Sequence, residues 1–247
     1  MNMDDRIVNH LAGRLGCDAG AFKQKKPLFI ASAERDHPDW TGRSAPLWIL
    51  ARGRTTIVSI VPPLASMMKN HHLERLATAG EGLPADVASA IAHDLVPFYG
   101  RTEAVHRTWF AALEGFEHVQ EIEIVPLRPG DAAELDDFAP GWWPRLRDLA
   151  AAGRVDAVRL DGRAVAFAAP FAESRFGAEI GCLTHPDYRG IGLGRELVAA
   201  VSSRLLGERR TPLFTTSHAS PSAGRIAKTL GFSEVAQDWV FAPPSGG

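Results

Sequence analysis

Apolar residues in the second half of the chain recur at spacings that switch repeatedly between those of strands and those of helices. Alternating or continuous apolar runs predict strands at 119–127, 155–160, 164–169, 178–184, 212–217 and 235–241. Helical spacing predicts helices at 144–152, at 193–207, after a turn at 128–131 and after Ser220. Asp131 is the predicted N-cap of the helix that follows the turn at 128–131, and Glu134 completes a capping box there. This order of elements indicates a mixed α/β domain.

The first half of the chain has a separate pattern. Helical spacing predicts helices at 4–15, 64–79, 84–95 and 101–113, and apolar runs predict strands at 28–32, 47–51 and 55–61. The last two strands flank Arg52-Gly53-Arg54, which is typical of a hairpin. We therefore predict two domains, an α+β domain at 1–117 and a second domain at 118–247.

Composition narrows the classes of partner. The chain of 247 residues has a formal net charge of −2, so neither nucleic acid nor a membrane surface is an expected partner. Its two cysteines, Cys17 and Cys182, are too few for a disulfide framework and lack metal-ligand spacing. The start lacks the features of a secretory signal, and no apolar run approaches the ~20 residues that span a bilayer. We expect a soluble cytoplasmic protein.

Only one histidine pair in the first half suggests a metal. His71 and His72 are adjacent, so in a helix their side chains point roughly 100° apart, and no cysteine or spaced acidic residue accompanies them. We expect no metal and place these histidines on the surface or at helix ends. The tryptophans Trp40, Trp48 and Trp109 are expected in a core or an interface.

The richest stretch chemically is a glycine turn between a predicted strand and a predicted helix. Gly190, Gly192 and Gly194 alternate there, so successive backbone N–H groups can converge on an anion, helped by the helix dipole. Arg189 and Arg195 can pair with phosphate oxygens. The turn is neither a Rossmann fingerprint, which needs a third glycine at Arg195, nor a P-loop. It predicts a pyrophosphate site, with a plain connecting turn as the alternative.

Several motifs in order resemble the GNAT superfamily of acyl-CoA-dependent N-acetyltransferases, from about 118 to 242. Arg-Gly-Ile-Gly-Leu-Gly at 189–194 fits the family's Arg/Gln-x-x-Gly-x-Gly/Ala pyrophosphate loop. The sequence His-Pro-Asp-Tyr at 185–188 resembles a motif that is common just before this loop in the family. Leu-Arg-Pro-x-Asp at 127–131 resembles the family's first strand and turn. Leu-Gly-Phe at 230–232 resembles the end of its last helix.

The resemblance implies an α/β (α+β) fold with a mixed, mostly antiparallel central sheet flanked by helices, here accompanied by an N-terminal α+β domain. The extra N-terminal half, together with Ala227 in the last helix, is loosely similar to a subgroup that includes zwittermicin-resistance-type acetyltransferases. Because it contains a hairpin, the N-terminal half is interpreted as a degenerate copy of the same fold.

The resemblance also implies N-acetyl transfer from acetyl-CoA to the amine of a small molecule by direct attack, without a metal. A protein or peptide N-acetyltransferase, a non-catalytic acyl-CoA-binding module and a homodimer stay open. Backbone groups at 182–184 would pair with the pantetheine arm, so Cys182 is interpreted as a small buried residue rather than a nucleophile. The implied cofactor-binding residues are Cys182, Leu183, Thr184, Arg189, Gly190, Ile191, Gly192, Leu193, Gly194, Arg195 and Ser220.

The catalytic groups are less defined. Glu179, on the strand face of Gly181 and Leu183, is one candidate base, unless it is a solvated strand residue, and His218 is the second. The family's acid, a tyrosine in the last helix, is replaced by Ala227, and the asparagine that often begins this helix is replaced by Ser220. Water, Ser220 or a residue of the first half would then protonate the leaving thiolate.

An aromatic loop at 138–143 falls at the position of the segment that usually borders the acceptor site in this family. Either Trp142 or Trp143 would wall that site, and a core role for one of them is the alternative.

Overall fold

The computed structural model describes residues 1–40, 42–78, 82–112 and 115–243. Within these ranges, none of the helices combines the length and the apolar character that crossing a bilayer requires. The α-helices are α1 (Met3–Leu15), α2 (Ala65–Thr78), α3 (Ala85–Tyr99), α4 (Trp143–Ala151), α5 (Leu193–Gly207) and α6 (Pro221–Thr229). The strands are β1 (Leu28–Ala31), β2 (Leu47–Arg52), β3 (Thr55–Ile60), β4 (Glu103–Ala111), β5 (Val125–Pro126), β6 (Asp156–Leu160), β7 (Arg163–Phe171), β8 (Gly177–Thr184), β9 (Thr211–Ser217) and β10 (Ser233–Ala242).

The chain forms two compact units that are not simply its two halves. The first unit contains Ile7–Trp109, Thr216–Pro221 and the chain from Glu234 onwards. The second contains Met1–Arg6, Phe110–Thr215 and Ser222–Ser233. The boundary predicted at 117/118 therefore lies close to the point between Trp109 and Phe110 where the chain passes from the first unit to the second. The last strand, from Glu234 onwards, belongs to the first unit again.

The second unit has a sheet in the order β9-β8-β7-β6-β5. The pairs β5/β6, β6/β7 and β7/β8 are antiparallel, and β8/β9 is parallel. The β6/β7 hairpin turns at Asp161 and Gly162, with φ of 51° and 78°, as the Asp-Gly pair predicts. Helix α5 packs Leu197, Val198 and Val201 against apolar side chains of the sheet. The predicted mixed, mostly antiparallel sheet flanked by helices is confirmed.

The first unit contains the strands β1-β3-β2-β10-β4, neighbours in this order. The predicted hairpin is present as the antiparallel pair β2/β3, while β1 runs parallel to β3 and β10 antiparallel to β2. Helices α2 and α3 bury Met68, Ile91 and Leu95 in a core that includes Ile49 and Phe241 of the sheet. This burial supplies the main driving force for folding of the unit.

Two predicted elements differ from the structure. The helix predicted at 101–113 is wrong: residues 103–111 form β4, because Val105, Thr108 and Trp109 favour a strand. Leu113, like Ala79 at the end of another predicted helix, lies outside the described residues. The strand predicted at 119–127 is reduced to β5.

The turn after β5 also differs. Residues Pro129–Leu135 form a 3-10 helix whose N-cap is Arg128, not Asp131. Asp131 instead accepts the Arg128 backbone N–H at 2.7 Å, as the third residue of a capping box does. Glu134 accepts the Ala164 backbone N–H at 2.8 Å and pairs with Arg159. Both carboxylates therefore tie this turn in place.

Candidate functional site

The two parallel strands of the second unit separate along their length. Strand β8 pairs with β9 only from Gly177 with Thr211 to Glu179 with Leu213, although β8 continues to Thr184 and both strands are fully described. On its other side β8 stays paired with β7 as far as Thr184. The backbone edge of 180–184 that faces away from β7 therefore has no ladder partner in β9. We call this opening the wedge.

The glycine turn follows directly at the end of β8. Gly190 and Gly192 have φ of 86° and 93°, a conformation that side chains disfavour. Gly192 is the N-cap of α5, and no side chain caps this helix. The first N–H groups of this 15-residue helix therefore have no side-chain cap as acceptor. Such a helix start is suited to binding phosphate.

Gly194 has a different task. A Cβ at this position would lie 3.2 Å from Ile226 Cδ1, 3.6 Å from Cys182 Sγ and 3.6 Å from Thr184 Oγ1. Its lack of a side chain lets the first turn of α5 approach both β8 and α6 closely. The helix start and the wedge are therefore held side by side.

The two arginines of the turn are not equivalent. Arg189 is exposed and donates Nε–H to the Thr184 carbonyl at 3.2 Å, which holds its guanidinium beside the end of β8. Arg195 instead donates to Glu196 from Nε and Nη2, at 3.0 and 2.8 Å, and to Glu121 at 2.8 Å. Arg195 already has two carboxylate partners, so Arg189 is the better placed cation for a phosphate.

Residues 116–232 match the family model described as the Acetyltransferase (GNAT) family. This part of the chain is a GNAT domain. This match supports acyl transfer as the general activity of the domain. The glycine turn and the wedge both lie within the matched residues, so both belong to the GNAT domain.

Solved GNAT structures share the fold. A GCN5-related N-acetyltransferase from Sphaerobacter thermophilus has 13% identity and a TM-score of 0.52, over 97% of this chain and 92% of that one. An acetyltransferase of the GNAT family from Colwellia psychrerythraea has 12% identity and a TM-score of 0.50, over 75% of each chain. At these identities the likeness is one of fold. No curated protein sequence matches the chain.

A buried carboxylate fixes the start of α5 in the GNAT domain. Glu196 is 2% exposed and accepts hydrogen bonds from His118 Nε2 at 2.9 Å and from the Glu121 backbone N–H at 3.1 Å. Burial alone would raise the pKa of Glu196, but these donors and Arg195 outweigh it and lower the pKa. The sequence marks this residue only as an acid in the first turn of a helix, because its partners come from a distant loop.

The predicted cofactor residues on β8 line the wedge. Cys182 lies with Sγ 3.9 Å from the Gly194 carbonyl, and burial raises the pKa of its thiol to about 12. A thiol with this pKa stays protonated at neutral pH and is a poor nucleophile. Cys182 and Thr184 both face Gly194, so Leu183 faces the other side of the sheet. This fits the interpretation of Cys182 as a small packing residue.

The two candidate bases lie in different compact units. Glu179 is 2% exposed and is the last residue of β8 that pairs with β9, at the closed end of the wedge. It is therefore not a solvated strand residue. His218 belongs to the first unit, where its Nε2 lies 3.0 Å from Thr108 Oγ1 and its ring stacks on His106 at 3.7 Å. Burial, together with His218, lowers the pKa of His106. Their catalytic roles stay predictions.

In helix α6, the position at which many family members have a tyrosine is Ala227, whose side chain cannot donate a proton to a thiolate. Ala227 is fully buried in the core of the second unit. Ser220, just before the helix, is exposed and donates its backbone N–H to the Ser217 carbonyl at 2.9 Å. Its assignment to the cofactor stays a prediction.

The aromatic loop divides its roles. Trp142 is half-buried and packs against two buried phenylalanines, with its ring centroid 5.7 Å from that of Phe167 and 6.1 Å from that of Phe171. Phe138 borders a cavity of about 290 Å³ that is also lined by His185 and Tyr188. Other lining residues are on β7 and in the β6/β7 turn, so this cavity lies on the β7 side of β8 and not on the side of the wedge.

The histidine pair of α2 has an acidic partner that the sequence did not reveal. His71 Nδ1 and His72 Nε2 lie 2.8 and 3.0 Å from the same oxygen of Asp94, which comes from α3. The three ligand atoms lie within 4.8 Å of one another, an arrangement that a divalent metal ion can use. The expectation of no metal stays a prediction.

Proposed function

We propose that the chain is an acetyl-CoA-dependent N-acetyltransferase that acetylates the amine of a small molecule by direct attack. The observation that carries the proposal is the wedge in a GNAT domain, with an uncapped helix start at its open end. A strand edge without a partner and a helix start without a cap each call for hydrogen-bonding groups from a ligand. Coenzyme A offers both, amide groups on its pantetheine arm and a pyrophosphate.

The residues present suit this donor. The N–H groups at the start of α5 are suited to the pyrophosphate, and Arg189 adds a cation beside them. The open edge of β8 at Cys182–Thr184 can pair with amide groups in the way that a peptide adds to a sheet edge. Arg195, which is engaged by Glu121 and Glu196, contributes by holding the turn rather than by contacting phosphate.

The chemistry then needs an oxyanion site and a base. Acetyl-CoA would bring its acetyl group as a thioester, activated toward an amine. A backbone N–H on the open edge of β8 is suited to stabilising the oxyanion that develops on the carbonyl. We assign the base to Glu179 at the closed end of the wedge. Because its side chain is 2% exposed, proton transfer would run through a water molecule rather than by direct contact.

The general acid that would protonate the leaving thiolate is the least defined group of the proposed mechanism. Ala227 offers only a methyl group where many relatives have tyrosine, so a water molecule would have to protonate the thiolate. This one residue favours a second candidate function, a module that binds acyl-CoA without turnover. The small-molecule acceptor rests on the near-neutral charge of the chain, which gives no attraction for acidic acceptors, and on the lack of a legible peptide-binding motif.

We expect the chain to bind acetyl-CoA at micromolar or tighter affinity and to release thiol in the presence of a suitable amine. Calorimetric titration measures binding, and thiol release measured over a panel of small amines and amino-terminal peptides measures transfer. Release with small amines supports the proposal, whereas release with peptides only supports the protein-directed alternative. Binding without release on any amine supports the non-catalytic module, and absence of binding contradicts both.

We expect Glu179→Gln to lower kcat/KM by roughly 10²-fold, because it removes a general base while keeping the size of the side chain. The affinity for acetyl-CoA should stay within about threefold of wild type, since the backbone edge is untouched. The matched variant His218→Gln tests the second candidate base. The assignment to Glu179 is wrong if the Gln variant keeps the wild-type rate and pH profile, and a loss confined to His218→Gln would move the role there.

A further inference from the structure

A cavity in the first unit is lined by an unusual set of cations. It has a volume of about 60 Å³ and is bordered by Arg14, Arg35 and Arg107, with the indole of Trp48 as one wall. A single water needs roughly 10–15 Å³ of such space, so the cavity has room for a group of several atoms. We call this cavity the arginine pocket.

Arg35 is the residue that makes the pocket more than a gap in the packing. It comes from a 3-10 turn, Ala33–Asp36, and only 7% of its surface is exposed. Its Nη2 donates to the Arg14 carbonyl at 2.9 Å, but its buried Nε has no hydrogen-bond partner among the described residues. Arginine is rarely buried without a partner, because removing an N–H of a charged group from water is costly.

The contrast with Arg107 shows what Arg35 lacks. Arg107 donates Nε and Nη2 to both oxygens of Asp238, at 2.8 and 2.6 Å, so its charge is neutralised inside the protein. Arg35 forms no ion pair within the described part of the chain. Burial, reinforced by Arg14, lowers the pKa of the Arg35 guanidinium to about 10, so it is still a cation at neutral pH. A buried cation is thus left without a bound anion.

The guanidinium is nevertheless held in a fixed position. It lies over the Trp48 ring, 4.9 Å from the centroid, in cation–π geometry. Arg14 and Arg107 lie 5.5 Å from the same centroid. Glu34 and Asp39 also border the pocket, and their negative charges favour the charged form of Arg35, but neither pairs with it. Held in this way, Arg35 does not need to reorganise to bind an anion.

We propose that the arginine pocket binds a small oxyanion, a phosphate or a carboxylate group, which accepts a hydrogen bond from the Arg35 guanidinium against the face of Trp48. The size of the cavity limits the bound group to a few atoms, whether it is a free ion or the end of a larger metabolite. The site is built entirely from the first unit and does not depend on the acyl-transfer proposal.

The test titrates the full chain with sodium phosphate and, separately, with sodium acetate, at constant ionic strength set by sodium chloride. We expect at least one oxyanion to raise the melting temperature by a few degrees (roughly 2–4 °C) at saturating concentration and to change tryptophan fluorescence saturably. Phosphate as the better ligand would point to a phosphorylated metabolite, and acetate to a carboxylic acid.

The decisive variant is Arg35→Met, which keeps the length of the side chain and removes its charge. Because the lost cation has no anionic partner in the protein, the anion-free variant should melt within about 2 °C of wild type or above it. Its response to the oxyanion should be abolished. The exposed Arg101→Met variant, in the same unit, should keep the wild-type response. The proposal is overturned if neither anion acts on the wild type, or if the response persists in Arg35→Met.

Discussion

Gly192→Glu is expected to weaken coenzyme A binding by at least about 100-fold. Gly192 is the N-cap of α5 and adopts a φ of 93°, so its side-chain position lies beside the uncapped N–H groups of the helix start. A glutamate there brings a negative charge to the place where we put the pyrophosphate. Losing two hydrogen bonds to a charged group costs about 3–6 kcal/mol, which corresponds to 100-fold or more in Kd.

Backbone strain has to be separated from this effect, because any side chain at a positive φ costs about 1–2 kcal/mol. Gly153→Glu is the matched control, since Gly153 has a φ of 65° in the same unit and open space around its Cβ position. We expect it to bind coenzyme A as the wild type does, and Gly192→Ala to fall in between. Calorimetric Kd values check all three. Affinity within threefold of wild type for Gly192→Glu would contradict the phosphate site.

Local chemistry made much of the second unit predictable. The Asp161-Gly162 turn needs two residues at positive φ, and Asp-Gly provides them, so the β6/β7 hairpin could be read directly. The glycine turn before α5 was legible for the same reason. Where the pattern is ambiguous the prediction was wrong, as in β4, whose apolar residues fit a helix by spacing but a strand by residue type.

Pairings over long sequence distances could not be predicted from a single sequence. Asp94 gives no sign that it lies between His71 and His72, because it comes from another helix. The division of the turn arginines depends on Glu121, which lies far from Arg195 along the chain. The separation of β8 from β9 is a property of backbone pairing and leaves no mark on either strand's residue pattern. These are the features that decide which groups can meet a ligand.

A fully buried carboxylate in β10 shows most clearly what such a pairing contributes. Asp238 has no exposed surface. Its Oδ2 accepts from Trp48 Nε1 at 2.6 Å, Trp109 Nε1 at 2.7 Å and Arg107 Nη2 at 2.6 Å. Its Oδ1 accepts from Arg107 Nε at 2.8 Å. Trp48 and Trp109 stack at 5.9 Å, so one carboxylate anchors a pair of core aromatics and a guanidinium.

We expect Asp238→Asn to lower the free energy of unfolding by about 3–5 kcal/mol, the usual effect of removing one partner of a buried ion pair. The asparagine keeps the shape, but if its oxygen takes the Oδ1 position, its amide N–H₂ faces three donors, and Arg107 loses its counter-charge. Urea unfolding followed by tryptophan fluorescence measures the change. If the variant is too unstable to purify, Trp48→Phe removes a single donor and should lose about 1.5–3 kcal/mol.

The exposed Asp86→Asn variant controls for the loss of an aspartate charge in the same unit. Asp86 pairs with Arg75 on the surface, where 75% of the Asp86 side chain is exposed. The unfolding midpoint of Asp86→Asn should therefore match that of the wild type. A midpoint for Asp238→Asn equally close to the wild type would show that the indole and guanidinium donors find other partners. In that case the strand β10 would be held in the first unit by its apolar contacts alone, with Phe241 and Trp239 in the core.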